Sequence, residues 1–176
     1  GLNNRRCFEY LAQQLVQQNF DQPVPMSLLV FDVDHFKQIN DRYGHDIGDQ
    51  VLQTIALSTR SEMRQHDILA RYGGEEFIAF LPETSLDEAL KVAERLRHNI
   101  ENIVIDLDSQ HRFSFSISIG AAILESCETD LMTLIKQADI ALYQAKANGR
   151  NRVEAYDPDL EQSLAGELQN WQVKPA

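Results

Sequence analysis

The sequence predicts an α+β domain, a mixed or antiparallel central sheet flanked by helices, and three observations carry that expectation. Helix-like and strand-like patterns follow one another roughly as α-β-α-α-β-β-α-β-α-β along 176 residues, an order that suits helices packed on such a sheet. Two strand-like segments meet across Gly73 and Gly74, the spacing of a hairpin. No internal repeat or low-complexity tract divides the chain, so its length favours one compact unit with a full hydrophobic core.

Residues 5–18 place Phe8, Leu11, Ala12 and Leu15 at helical spacing, and two prolines in residues 19–25 end that helix. Residues 26–34 contain the apolar run Leu28, Leu29, Val30 and Phe31, which stops at Asp32-Val33-Asp34 and reads as a central buried strand with acids at its C-terminal end. Phe36 and Ile39 begin a helix that stops near Gly44, and a second starts around Gly48 with Val51, Leu52, Ile55 and Ala56 on one face. Residues 67–72 and 75–81 are the two hairpin strands, with Gly73 and Gly74 expected to supply the positive φ of a primed two-residue turn. Ser85 with Glu88 is a capping-box pair that opens a helix running to about Ile103. The alternation Phe113, Phe115, Ile117, Ile119 predicts one half-buried strand. Asp130 is the expected cap of a last long helix that Gly149 stops, and residues 151–156 form a short closing strand. Residues 157–176, with the single Trp171, read as a C-terminal helical extension or a linker.

Composition narrows the function classes. A net charge of −11 argues against duplex nucleic acid as a partner, because phosphate backbones are held by clustered Lys and Arg. No apolar run approaches the ~18 residues of a membrane span and no signal-peptide pattern opens the chain, so a cytoplasmic setting is expected, with membrane association only through domains outside this chain. Cys7 and Cys127 form no CxxC pair and read as packing residues.

Two constellations carry chemistry. Asp32 and Asp34 share a face if their strand is regular, and paired carboxylates there suit Mg²⁺, which takes hard oxygen ligands; the alternative is a solvated turn with Asp34 capping the next helix. The segment Arg71-Tyr72-Gly73-Gly74-Glu75-Glu76-Phe77 sets two acids directly after a pair of glycines, where the backbone can approach a ligand closely.

Gly73-Gly74-Glu75-Glu76-Phe77 resembles the signature of the GGDEF family in its GGEEF form. Asp32-Val33-Asp34-His35-Phe36-Lys37-Gln38-Ile39-Asn40-Asp41, Tyr43-Gly44-His45 and Gly48-Asp49 are similar to further family blocks, and Asn4-Arg5-Arg6 and Gly149-Arg150-Asn151 resemble its terminal ones. The likeness covers residues 1–156, with the N-terminal edge of the family's domain, an acidic D-x-L-T segment, truncated.

The resemblance implies a fold like the ferredoxin-like palm of nucleotide cyclases and a diguanylate cyclase that condenses two GTP into cyclic di-GMP. It implies Mg²⁺, with Mn²⁺ as a substitute, on Asp32, Glu75 and the Val33 carbonyl. Lys37 with the backbone N–H groups of His35 and Phe36 would hold terminal phosphates, aided by Lys146 and Arg150. Asn40 and Asp49 would read guanine, with His45 in the same loop. Glu75, Glu76 and Lys37 are the implied catalytic residues, either glutamate serving as base. A twofold-symmetric product implies that two copies face each other as a homodimer. Arg64 and Asp67 stand in the register of the family's product-inhibition site, to which Arg95 is a candidate addition. The rival reading is a catalytically silent receptor for cyclic di-GMP or GTP.

Overall fold

The computed structural model describes residues 2–19, 23–108, 111–124 and 129–159. Eight strands and five helices alternate among them: β1 (Asn3–Asn4), α1 (Arg5–Gln18), β2 (Met26–Val33), α2 (Phe36–Tyr43), α3 (His45–Glu62), β3 (Ile68–Arg71), β4 (Glu76–Leu81), α4 (Leu86–Glu101), β5 (Val104–Asp106), β6 (Arg112–Ser114), β7 (Ile117–Leu124), α5 (Leu131–Ala147) and β8 (Val153–Ala155). Six strands form a mixed sheet in the order β1-β3-β4-β2-β7-β8, and β5 pairs with β6 apart from it. The expected α+β class is the one observed.

The central strand β2 is buried along its whole length and runs antiparallel to both β4 and β7. Because side chains alternate across a sheet, its two faces feed two cores. Leu29, Phe31 and Val33 face α2, α3 and α4, where Phe31 stacks on Phe77 with ring centres 5.5 Å apart. Leu28 and Val30 face α1 and α5, meeting Phe8, Ala12, Leu134 and Leu142. Asp32 continues the second face, so the acid at the strand end points toward α5. Each fully buried Leu or Phe contributes about 1.5–3 kcal/mol, which fixes the register that aims Asp32 this way.

The helix ends follow local chemistry. Asn4 accepts from the Cys7 N–H, Ser85 and Glu88 form the capping box, and Asp130 accepts from the Thr133 N–H. Gly44, at φ 87°, ends α2 and starts α3 in one residue, a backbone state costly for a side chain with a Cβ.

Several expectations are corrected. The β3–β4 connection runs from Tyr72 to Glu75, two residues longer than the primed turn, and neither Gly73 nor Gly74 has positive φ. The turn is closed by Tyr72 and Gly73 N–H groups donating to the Glu76 carbonyl and by the Arg71 guanidinium donating to the Gly74 carbonyl at 2.6 and 3.0 Å. The alternation at residues 113–119 is broken at Phe115 and Ser116, so it serves two strands in two sheets, because β6 turns away to pair with β5. α3 begins at His45, three residues before Gly48. β1 is a two-residue parallel addition beside β3 with no apolar pattern of its own. Cys7 is exposed, with its thiol 3.4 Å from Asn3 Oδ1, whereas Cys127, Trp171 and nearly all of the C-terminal extension lie outside the described residues.

Candidate active site

Asp32, the last residue but one of β2, stands opposite Glu76 on β4 and Ser118 on β7. Its side chain is buried; Oδ2 accepts from the Lys146 ammonium, and Oδ1 is buried with no hydrogen-bond partner. Burial pushes the Asp32 carboxyl up to about 6, the Lys146 charge opposes this, and the Glu75 and Glu76 charges push it further up. A buried carboxylate oxygen without a donor, among further acids, is short of positive charge. That is the chemistry a divalent cation satisfies. No group of three His, Cys, Asp or Glu side chains converges to hold an ion among the described residues. A donor set of two carboxylates and a carbonyl fits a metal completed by substrate phosphates, the usual habit of Mg²⁺.

The two aspartates of the Asp-Val-Asp run part company here. Asp34 accepts from Ser116 Oγ at 2.7 Å, Ser118 Oγ at 2.6 Å and the Asn151 N–H at 3.0 Å. Its oxygens are used in tying β2, β7 and the approach to β8 together, so it neither caps α2 nor stays free for an ion. His35 takes the N-cap position instead, in the left-handed conformation at φ 57° and without a side-chain cap bond.

α2 presents its first turn beside that acid. Phe36 is buried, and Lys37 is exposed on the first turn with the N–H groups of His35 and Phe36. Further along the same helix, Asn40 Oδ1 is buried without a partner. A Cβ at Gly48 would come within 1.9 Å of that oxygen, so the bare glycine of α3 is what lets the Asn40 amide lie between the helices. Asp49, the next residue, is exposed and lines a cavity of about 670 Å³ with Asn3, Leu52, Arg71, Gly73 and Phe77. Asn40 and Asp49 thus come from two neighbouring helices, Asp49 sharing its cavity with Gly73 of the glycine turn, and His45 opens α3 in place of the loop expected for it.

Lys146 reaches Asp32 because α5 lies almost on the sheet. A Cβ at Gly120 of β7 would stand 2.1 Å from the Ala138 carbonyl and 2.2 Å from the Leu142 nitrogen. Arg150 follows the end of α5 at φ 64°, exposed, its N–H bonded to the Ala145 carbonyl at 2.9 Å. Arg64 and Asp67 lie elsewhere, between α3 and β3: Asp67 Oδ2 accepts from the Arg64 N–H at 2.7 Å, and Asp67 Oδ1 is buried without a partner. Burial raises the Asp67 carboxyl above its usual range against the pull of the Arg64 backbone and the charges of His66, Arg64 and Arg60. Arg95 comes from α4 and holds Glu62.

Sequence reasoning missed a polar cluster on the α1 side. Glu9 accepts from Arg5 Nε at 2.9 Å and from the Tyr72 hydroxyl at 3.0 Å, while the Arg5 guanidinium lies over the Tyr72 ring, 4.6 Å from its centre. Burial and the bond to Glu9 push the Tyr72 phenol up to about 12. Asp139 was also missed, although it precedes Lys146 by seven residues, two turns on one helix face. Burial pushes Asp139 up to about 7, the Glu76 charge adds to this, and Lys146 and Arg5 oppose it.

A mixed sheet with helices on both faces, ending in an acid beside a glycine turn, is the palm of the nucleotide cyclases, and sequence comparison places the chain within that class. The profile described as "Diguanylate cyclase, GGDEF domain" matches residues 1–152, and the chain belongs to the GGDEF family. It is 41% identical over 154 residues to the response regulator PleD of Caulobacter vibrioides, covering 87% of this chain and 34% of PleD. It is 39% identical over 159 residues to diguanylate cyclase DosC of Escherichia coli K12, covering 90% of this chain and 34% of DosC. The chain therefore spans about a third of these relatives. Among solved structures, the GGDEF domain of DgcB from Caulobacter crescentus in complex with c-di-GMP superposes with a TM-score of 0.85 at 29% identity, covering 89% of both chains. An active GGEEF domain of a diguanylate cyclase from Vibrio cholerae gives 0.82 at 33% identity, covering 89% of this chain and 99% of that one. Among the described residues no helix is long and apolar enough to cross a membrane.

Proposed function

We propose that this chain is a diguanylate cyclase catalytic domain that joins two GTP molecules into cyclic di-GMP and releases two pyrophosphates. The observation that carries the reading is the Asp32 carboxylate, buried beside Glu75 and Glu76 with one oxygen on Lys146 and the other unpartnered. Asp32, Glu75 and the Val33 carbonyl are the groups for Mg²⁺ or Mn²⁺, which when bound supplies charge neutralisation to the triphosphate.

The chain's own residues do the rest. Lys37 and the N–H groups of His35 and Phe36, at the start of α2, hold the terminal phosphates. Lys146 and Arg150 bring further cations to the phosphates from the end of α5. Asp49 accepts from guanine N1–H and its exocyclic amine, and the buried Asn40 oxygen is a waiting acceptor for such donors; adenine does not offer that pair. Glu75 or Glu76 takes the proton of the ribose 3′-hydroxyl. That oxygen then bonds to the α-phosphorus of the facing GTP as the bond to the β-phosphate breaks and pyrophosphate leaves. The same step in the opposite sense closes the ring. Because the product is twofold symmetric and each domain positions one GTP, two copies face each other during turnover. Arg64 and Asp67 make up a separate inhibitory site for the product, in keeping with the c-di-GMP complex known for the DgcB domain.

The test is chromatography of products after incubation with GTP and Mg²⁺, with Glu75→Ala alongside. Cyclic di-GMP from the wild type and none from the variant is the expected outcome. Unchanged GTP together with tight cyclic di-GMP binding replaces the enzyme by a silent receptor.

A further inference from the structure

We infer that Glu62, the last residue of α3, is an intramolecular competitor of the anionic product: it occupies the Arg95 guanidinium and so weakens feedback inhibition. The inference rests on the reading of Arg64 and Asp67 as an inhibitory site for a cyclic dinucleotide.

Three contacts define the competitor. Arg95 Nε donates to the Glu62 carboxylate, Arg95 Nη2 donates to the Glu62 carbonyl at 3.3 Å, and Asn99 Nδ2 donates to Glu62 Oε1 at 2.7 Å. One edge of the guanidinium, the Nε–Nη2 side, is therefore spent within the protein, and that edge is one of those with which an arginine grips a phosphate in bidentate fashion. The Glu62 side chain is only 17% exposed while that of Arg95 is 53% exposed, so the acid is the enclosed partner and the base the accessible one.

The placement is what gives the pair a bearing on ligand binding. Glu62 stands two residues before Arg64, whose charge is felt by Glu88 in the first turn of α4; Arg95 follows Glu88 by seven residues, about two turns along one face. Arg95 thus stands about 10 Å along the α4 axis from Glu88, and its ion pair with Glu62, two residues before Arg64, brings it to the same α3–α4 edge. Two phosphates carried on one ring would meet both arginines there, and would also meet the Glu62 charge. A carboxylate at a helix C-terminus is opposed by the helix dipole, so local helix stability does not favour Glu62. Its partners in α4 do.

Calorimetric titration of the purified chain with cyclic di-GMP tests this, using wild type, Glu62→Gln, Glu62→Ala, Arg95→Ala and the double variant Glu62→Gln with Arg95→Ala. Replacing Glu62 tightens product binding about fivefold, the scale of one exposed ion pair released. Arg95→Ala weakens binding, and Glu62→Gln gives no more than a small gain in that background, since the guanidinium it would free is gone. A clamp that only braces α3 on α4 would instead leave affinity unchanged or lower in both Glu62 variants, and that result overturns the inference while leaving the inhibitory site standing. Failure of every form, wild type included, to bind cyclic di-GMP with folding intact by circular dichroism overturns the inhibitory site and the inference with it.

Discussion

Replacing Asp32 by asparagine removes the charge that folding buries at the end of β2 while keeping the shape and the oxygen that Lys146 approaches. The folded carboxyl sits at about 6 against an ordinary 3.8. That rise corresponds to about 3 kcal/mol at ~1.4 kcal/mol per pH unit. The sign follows from proton occupancy. Between 3.8 and about 6 the folded chain holds a proton that the unfolded chain has released, so the stability this group contributes is complete below 3.8, is lost as pH rises through about 6, and is flat beyond. Asp32→Asn keeps the neutral form at every pH. In chelator-treated buffer the variant should therefore match the wild type near pH 4 and exceed it by about 3 kcal/mol at pH 7, several degrees in Tm for a domain of this size. Asp139, raised to about 7, imposes its own slope on both proteins and cancels in the difference. Urea unfolding from pH 4 to pH 8 measures this difference directly. Adding millimolar Mg²⁺ or Mn²⁺ should then raise the wild-type midpoint and leave that of Asp32→Asn where it was. A pH-independent difference, or a variant less stable at pH 7, would refute the claim that a buried charge only partly offset by Lys146 waits there for a cation.

Other perturbations separate stability from substrate handling. Gly48→Ala puts a methyl 1.9 Å from Asn40 Oδ1, a side-chain atom that can rotate away, so Tm should hold or rise by a few degrees from helix propensity while the GTP KM increases about tenfold. Gly120→Ala meets backbone on α5 and cannot be relieved so cheaply; a loss of about 3 kcal/mol in urea unfolding is expected, with Lys146 drawn off Asp32 and cyclase activity lost. Tyr72→Phe deletes the bond to Glu9 and should cost about 1 kcal/mol, 2–4 °C in Tm, which differential scanning calorimetry resolves.

Local pattern alone is enough for the acidic strand end, the pair of glycines followed by two glutamates, and the helix caps at Ser85 and Asp130. Each is a local device, set by apolar runs, capping oxygens and backbone freedom within a few neighbours. The α+β class was legible for the same reason, since the order of patterns fixes which elements exist, whereas the likeness to the cyclase palm came only through the family resemblance. What the pattern could not hold was pairing between distant segments. Asp32 and Asp34 look equivalent two residues apart, yet one meets Lys146 from 114 residues away and the other two serines and a backbone N–H more than 80 residues on. That difference, which leaves one acid with an unpartnered oxygen and makes the other a structural tie, arises only when the sheet sets β7 and the end of α5 beside β2. The alternation at residues 113–119 likewise reads as one strand until the tertiary fold sends its first half to β5. Chemistry at this site is therefore chosen by long-range packing, because burial and partner charge are properties of the assembled layers and of no single segment.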